Sequence, residues 1–175
     1  TSGNCGRVLD HYLKQGRRIL FLPDEHLARN TAHDLGIPDE AVRLYDPAQP
    51  DGGCSDADLA GARLAVWKGF CHVHTNFTLQ QVRAVREKLP QARIIVHPEA
   101  PRAVVRAADA HGSTAQIIRY VEEAPDGATI VVGTERHLVL RLAEEHKDRV
   151  QVLALLSSSC PNMARTTAAA LLDTL

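Results

Sequence analysis

Ala65-Val66-Trp67-Lys68-Gly69-Phe70-Cys71-His72-Val73-His74 reads as a short strand that runs out into a cysteine flanked by histidines. Its apolar part is continuous rather than alternating, as a strand covered on both faces requires. Ile19–Leu22, Ile94–Val96, Ile130–Val132 and Val152–Leu156 have the same character. Amphipathic segments lie between them. Val8, Leu9, Tyr12 and Leu13 share one helical face, and so do Leu79, Val82, Val85 and Leu89, with Thr78 as N-cap. Further helices are predicted over Pro101–Ala110, Ser113–Glu123, His137–Glu145 and Ala164–Leu172. Strands alternating with helices imply right-handed crossovers and a mostly parallel sheet, hence an α/β fold. Ile37–Gly53, rich in Pro, Asp and Gly, reads as a loop.

A repeat underlies this order. A helix opened by Ser2, a strand, Asp24-Glu25-His26-Leu27, a second helix and a strand ending near Cys71 match a later series. That series runs from Ser113 through Glu135-Arg136-His137-Leu138 to Cys160, and Ser2/Ser113 and His26/His137 share an offset of 111 residues. Two α/β units are expected, 1–70 and 71–159, with a C-terminal helix in 160–175. The first unit lacks the counterpart of the segment from Cys71 to His111, so the repeat places another cysteine about forty residues before Thr1.

Composition excludes several classes. The 175 residues carry 20 Lys and Arg against 21 Asp and Glu, with no basic block, which argues against a nucleic-acid partner. No apolar run is long enough for a membrane span. Four cysteines without framework spacing suit reduced thiols and a cytoplasmic setting.

Ligands of parallel sheets gather at the carboxyl ends of strands. Five polar clusters fall there: Asp24-Glu25-His26, Cys71-His72-Val73-His74, His97-Pro98-Glu99, Gly133-Thr134-Glu135 and Ser157-Ser158-Ser159-Cys160. Cys71 and Cys160, equivalent in the repeat, are read as ligands of one metal centre, against the plain alternative of buried packing thiols. His97 and Glu99, two apart after a strand, suit proton transfer or recognition of a charged substrate; otherwise they form a polar turn around Pro98. Ser113 and Thr114 form an N-cap, an anion pocket, or both. His72 and His74 lack an accompanying zinc motif. Cys5 reads as packing, and Cys54 has no repeat partner. His11, His33, His111 and His146 read as surface or packing residues.

These segments, in order over essentially the whole chain, resemble quinolinate synthases, iron–sulfur enzymes of NAD biosynthesis. The similarity rests on Thr1-Ser2-Gly3-Asn4, Phe21 to Leu27, Trp67 to His74, Val96-His97-Pro98-Glu99, Gly112-Ser113-Thr114, Gly133-Thr134-Glu135 and Cys160-Pro161-Asn162-Met163. The resemblance implies three-layer αβα units in pseudo-threefold array, here without the first unit, on which the C-terminal helix is expected to pack. It implies a [4Fe-4S] cluster with an open iron, of which Cys71 and Cys160 are two of three ligands. The implied reaction condenses iminoaspartate with dihydroxyacetone phosphate to quinolinate, losing phosphate and water. An L-aspartate oxidase or dehydrogenase is the implied partner. Ser2, His74, His97, Glu99, Ser113 and Thr114 match substrate-binding positions, His97 and Glu99 being the proton-transfer pair, and Met163 matches a residue beside the cluster. Two competing readings are a cluster-free module binding a small dicarboxylate, and a mononuclear zinc enzyme using Cys71, His74 and Cys160.

Overall fold

The computed structural model describes residues 1–175. Two parallel sheets are built from strands separated by helices. The first unit contains α1 (Cys5–Lys14), β1 (Ile19–Phe21), α2 (Glu25–Asp34), β2 (Val42–Tyr45), α3 (Asp56–Gly61) and β3 (Leu64–Trp67). The second contains α4 (His72–Thr75), α5 (Leu79–Lys88), β4 (Arg93–Val96), α6 (Arg102–Ala107), β5 (Ala110–His111), α7 (Thr114–Glu122), β6 (Thr129–Gly133), α8 (Arg136–Glu145) and β7 (Gln151–Ala154). The chain ends with α9 (Ala168–Leu172). Strand order is β1-β3-β2 in one sheet and β5-β4-β6-β7 in the other.

The second sheet is a three-layer αβα sandwich, and the reason lies in alternate residues of its central strands. Ile94, Val96 and Val131 point into one core with Val82, Val104 and Val105 from α5 and α6. Ile95, Ile130 and Val132 point the other way, onto Ile117, Val121, Val139 and Leu142 from α7 and α8. Successive side chains of a strand face opposite sides, so a strand covered on both faces needs an unbroken apolar run. In the first sheet Leu64 and Val66 pack with Leu9, Leu13, Leu27 and Ala28 of α1 and α2.

The repeat is visible in the elements themselves. Helices α2 and α8 are equal in length, with both ends offset by 111 residues. Strand β1 corresponds to β6, and the β1·β3 pairing to β6·β7. The units differ in what covers them. β6 lies between two strands, whereas β1 is an edge strand. Val131 is 1% exposed, while its repeat counterpart Leu20 is 59% exposed.

Several local expectations are corrected. The loop expected over Ile37–Gly53 holds β2, which pairs with β3 from Val42↔Leu64 to Tyr45↔Trp67. Tyr45 stacks on Trp67 with ring centroids 5.8 Å apart. The first helix starts at Cys5, after Asn4, rather than at Ser2. The helix expected to reach Ala110 stops at Ala107, because Ala110–His111 pair with Ile95–Val96 as β5. The C-terminal helix is split: a 3-10 turn spans Met163–Arg165, and α9 begins only after Thr167, whose hydroxyl accepts from Ala170 N–H. Thr78 caps α5 as expected, in a reciprocal capping box with Gln81. No helix is long and apolar enough to cross a membrane.

The uneven covering of the repeat predicts uneven mutational costs. In urea melts of this chain, Val131→Ala is expected to cost about 2 kcal/mol, through lost burial and a cavity. Leu20→Ala is expected to change stability by no more than about 0.5 kcal/mol, as at an exposed site. Equal losses would contradict the description of Leu20 as lying on an uncovered face.

Candidate functional site

The polar clusters converge because the carboxyl ends of parallel strands all face one side. Strand β1 leads through Pro23 to Asp24, which is buried and caps α2. Its Oδ1 accepts from Leu27 N–H at 2.8 Å, and its Oδ2 accepts from Cys71 N–H at 2.9 Å. One carboxylate therefore fixes both the start of α2 and the chain just beyond β3. Burial pushes the Asp24 carboxyl up, against the lowering effect of these amide bonds. The approach also needs a glycine: Glu25 N–H donates to Gly69 O at 2.8 Å, and a Cβ on Gly69 would lie 2.2 Å from Pro23 O.

The repeat carries an equivalent device. Glu135, the N-cap of α8, accepts from His137 N–H at 2.7 Å, and its backbone forms an isolated bridge with Ser158. Arg136 N–H donates to Ser158 O, and the Ser158 hydroxyl donates to Val73 O at 2.8 Å. The segment bearing Cys160 is thereby tied to the α4 segment that follows Cys71.

Around Cys71 the side chains form a connected group. Cys71 is the N-cap of α4, and its N–H is held by Asp24. Ligand atoms of Cys71, His74 and Glu99 lie within 4.8 Å of one another. His74 Nδ1 is 3.0 Å from Glu99 Oε2, and Nε2 is 3.2 Å from the Thr134 hydroxyl. The His97 ring stacks on His74, with centroids 4.1 Å apart and planes 10° from parallel. Glu99 N–H donates to His97 Nδ1 at 3.3 Å, which assigns the ring proton to Nε2, 3.3 Å from the Ser2 hydroxyl.

The electrostatics follow from this geometry. Two stacked imidazoles cannot both be cationic at that separation without a large Coulomb cost. Burial drives His97 down to about 4, aided by the neighbouring charge of His74. Burial also opposes the charge on His74, but hydrogen bonds to Cys71 and Glu99 reverse this and push it up to about 9. The His74 hydrogen bond in turn lowers the Cys71 thiol. Burial works against the Glu99 carboxylate, yet the bond from His74 holds it below its usual range. The group is thus an imidazolium at His74, a carboxylate at Glu99, a neutral imidazole at His97 and a Cys71 thiol held below its ordinary pKa. Beside it runs a cleft of about 530 Å³ lined by Ser2, Phe21, Leu22, Pro23, Leu27 and Glu99, among others.

Of the residues singled out in the sequence, Ser2, Cys71, His74, His97 and Glu99 come together. Ser113 is buried close by, its hydroxyl 3.2 Å from where a Cβ on Gly3 would stand, and its N–H donates to Gln116. Thr114 is exposed at the start of α7. Cys160 is half-buried and not among the mutually close ligand atoms of Cys71, His74 and Glu99. Met163 is exposed. Cys5 is buried in the first core, accepting from the Thr31 hydroxyl, and Cys54 donates to Leu44 O. Asp24 and Thr134 were visible only as members of polar clusters. The signal for Asp24 was its alignment with Glu135; nothing in the sequence marks Thr134 as a partner of His74, 60 residues away.

A family model described as Quinolinate synthetase A protein matches residues 1–175. A quinolinate synthase of Staphylococcus carnosus is 45% identical over 166 residues, covering 94% of this chain and 45% of the relative. One of Corynebacterium glutamicum is 44% identical over 146 residues, covering 83% of this chain and 37% of the relative. One of Bacillus cereus strain B4264 is 41% identical over 161 residues, covering 92% and 43%. The chain therefore spans less than half the length of these relatives. The match along all 175 residues, with identities above 40% over most of them, makes the chain a member of the quinolinate synthetase A family.

Proposed function

We propose that this chain supplies two of three α/β units of a cytoplasmic quinolinate synthase in NAD biosynthesis, including much of its substrate cleft and two ligands of a [4Fe-4S] cluster. The reaction proposed for the complete enzyme condenses iminoaspartate with dihydroxyacetone phosphate to quinolinate, releasing phosphate and water. An L-aspartate oxidase or dehydrogenase would supply the iminoaspartate. The observation that carries this reading is the convergence of Ser2, His74, His97 and Glu99 beside the Cys71 thiol.

The donor set suits the cluster. Iron–sulfur clusters are held by thiolates. Cys71 has a lowered pKa beside His74 and Glu99, and Cys160 follows the equivalent strand, tied across by Ser158. When bound, such a cluster would supply an iron without a protein ligand that acts as a Lewis acid on a substrate oxygen. The chain's own residues do the remaining work. The imidazolium of His74 places positive charge where an anionic substrate group would bind. Neutral His97 carries its proton on Nε2, where it hydrogen-bonds the Ser2 hydroxyl, and would take up a further proton at Nδ1. Glu99 orients His74 through Nδ1 and leaves its other oxygen free to accept. Ser113 and Thr114, where α7 begins, are proposed to bind carboxylate or phosphate. The exposed face around Leu20 suits coverage by the further unit, and α9 is proposed to pack on that same unit.

The ligand assignment is tested in the full-length enzyme, reconstituted anaerobically with iron and sulfide. Cys71→Ser and Cys160→Ser together are expected to abolish four-iron loading and the visible cluster absorption. Retention of four irons would refute the assignment. A mononuclear site is the competing reading, and the structure favours Cys71, His74 and Glu99 for it over a set containing Cys160. Zinc after native purification, at one equivalent and without sulfide, would support that reading instead.

The state of the Cys71 thiol is open to a separate check on the cluster-free chain. Because its pKa is lowered, the thiolate persists to lower pH than in an ordinary cysteine. Iodoacetamide at pH 7 is therefore expected to label Cys71, and His74→Phe is expected to slow that labelling. Unchanged labelling in the variant would remove His74 as the cause.

Within the complete enzyme, His97→Ala is expected to lower kcat by about 100-fold or more, the usual range for a proton-transfer group. The neighbouring Glu99→Gln is expected to raise KM as well, because it loosens His74. Steady-state kinetics at saturating and limiting iminoaspartate separates the two effects.

A further inference from the structure

We propose that Asn30 is a positioning residue for the His97–Glu99 turn, acting from the first unit on catalytic groups carried by the second. The inference deepens the reading of His97 and Glu99 given above and rests on it.

Asn30 lies on α2 and is 2% exposed. Its amide nitrogen donates to Pro98 O at 2.7 Å and to Ala100 O at 3.0 Å. These carbonyls flank Glu99 on both sides, and neither receives a backbone hydrogen bond. Both amide hydrogens of one buried side chain therefore hold the backbone on either side of the residue that faces His74. The turn has few other restraints. His97 N–H donates to Gly133 O, Ala100 N–H donates to His97 O, and Glu99 N–H donates to the His97 ring. From the other unit, Ser2 meets the His97 ring, and Asn30 holds the turn's backbone.

The surrounding contacts reinforce this placement. Asn30, His33 and Asp34 stand at i, i+3 and i+4, one face of α2. His33 Nδ1 lies 3.2 Å from Arg102, which also forms a two-oxygen ion pair with Asp39. Asp34 lies 3.5 Å from His111. All three partners belong to the stretch from His97 to His111. The outer contacts are exposed pairs that contribute little individually. Asn30 is the buried member, where an unmet carbonyl is costly. Its chemistry is also specific: aspartate has the same shape but offers two carbonyl oxygens an acceptor instead of two donors.

The test uses a full-length quinolinate synthase carrying these residues, with Asn30→Asp, Asn30→Ala and Asn30→Ser made singly and in a Glu99→Gln background. Misplacement of a catalytic group by about 1 Å costs on the order of 100-fold in rate. Asn30→Asp is therefore expected to lose 10- to 100-fold in kcat, about the range set by that geometry, with iron content and visible spectrum unchanged. Asn30→Ser, which keeps one donor, is expected to recover part of the loss relative to Asn30→Ala. In the Glu99→Gln background the same substitutions are expected to add little, because both act through one group. Wild-type kcat in Asn30→Asp, or fully additive losses in the double variants, would overturn the proposal; so would a fall in melting temperature with no change in kcat. If the aspartate variant does not fold, side-chain amide exchange in the unsubstituted 175-residue chain decides. Slowly exchanging Asn30 amide protons support the clamp, and solvent-rate exchange overturns it. This measurement needs no activity, so it reads the clamp even if the proposed reaction is wrong.

Discussion

The buried carboxylate of Asp24 is the constraint from which the site follows. It accepts one amide from the first turn of α2 and one from Cys71, beyond the neighbouring strand. A carboxylate with 4% exposure is costly unless its oxygens are occupied, and both are. The consequence is geometric: the exit of β1 and the exit of β3 are held together, and the residues after Cys71 must turn into α4 at that point. Glu135 likewise caps its helix, accepting from His137 N–H. Ser158, two residues before Cys160, links the two segments by donating to Val73 O.

On that frame the charges arrange themselves by exclusion. The stacked rings of His74 and His97 share so little space that only one is cationic. Cys71 and Glu99, both close to His74, decide which one. Thr134 occupies the other nitrogen of His74 and keeps the ring from rotating away. His97 remains a neutral imidazole with a defined tautomer. A site built this way holds a proton donor and a proton acceptor side by side at one pH, as acid–base chemistry on a polar substrate requires.

The strands were legible because their chemistry is local. Ile94–Val96 and Ile130–Val132 are unbroken apolar runs, and the sheet covers both their faces. The repeat was legible because α2 and α8 keep the same length and the same acidic cap. Strand β2 was not. Val42–Tyr45 alternates weakly, carries Arg43, and lies between Pro38 and Pro47, so only its pairing with β3 marks it as a strand. Strand β5 has two residues and no pattern of its own. In the site, Ser2, Cys71, His74, His97 and Glu99 stood out as unusual polar residues after strands. Asp24, Thr134 and Asn30 did not, because their roles exist only through partners 47, 60 and about 70 residues away.

The cleft also explains why the two units must keep a fixed relation. Ser2 belongs to the first unit and meets His97 of the second; Asn30 belongs to the first and holds the backbone beside Glu99. The second unit carries His74, His97 and Glu99, and the first supplies the hydroxyl and the amide that hold them in place. Contacts between units that resemble a transient interface would allow relative motion, and a shift of one ångström would separate Ser2 from His97. The buried Asn30 pair, flanked by the Arg102–Asp39 and His111–Asp34 contacts, restrains such motion along one face of a single helix. Helix α2 therefore does two jobs. Its first turn fixes the end of its own unit through Asp24, and its last two turns fix the other unit through Asn30, His33 and Asp34. The chemistry sits where those two restraints meet.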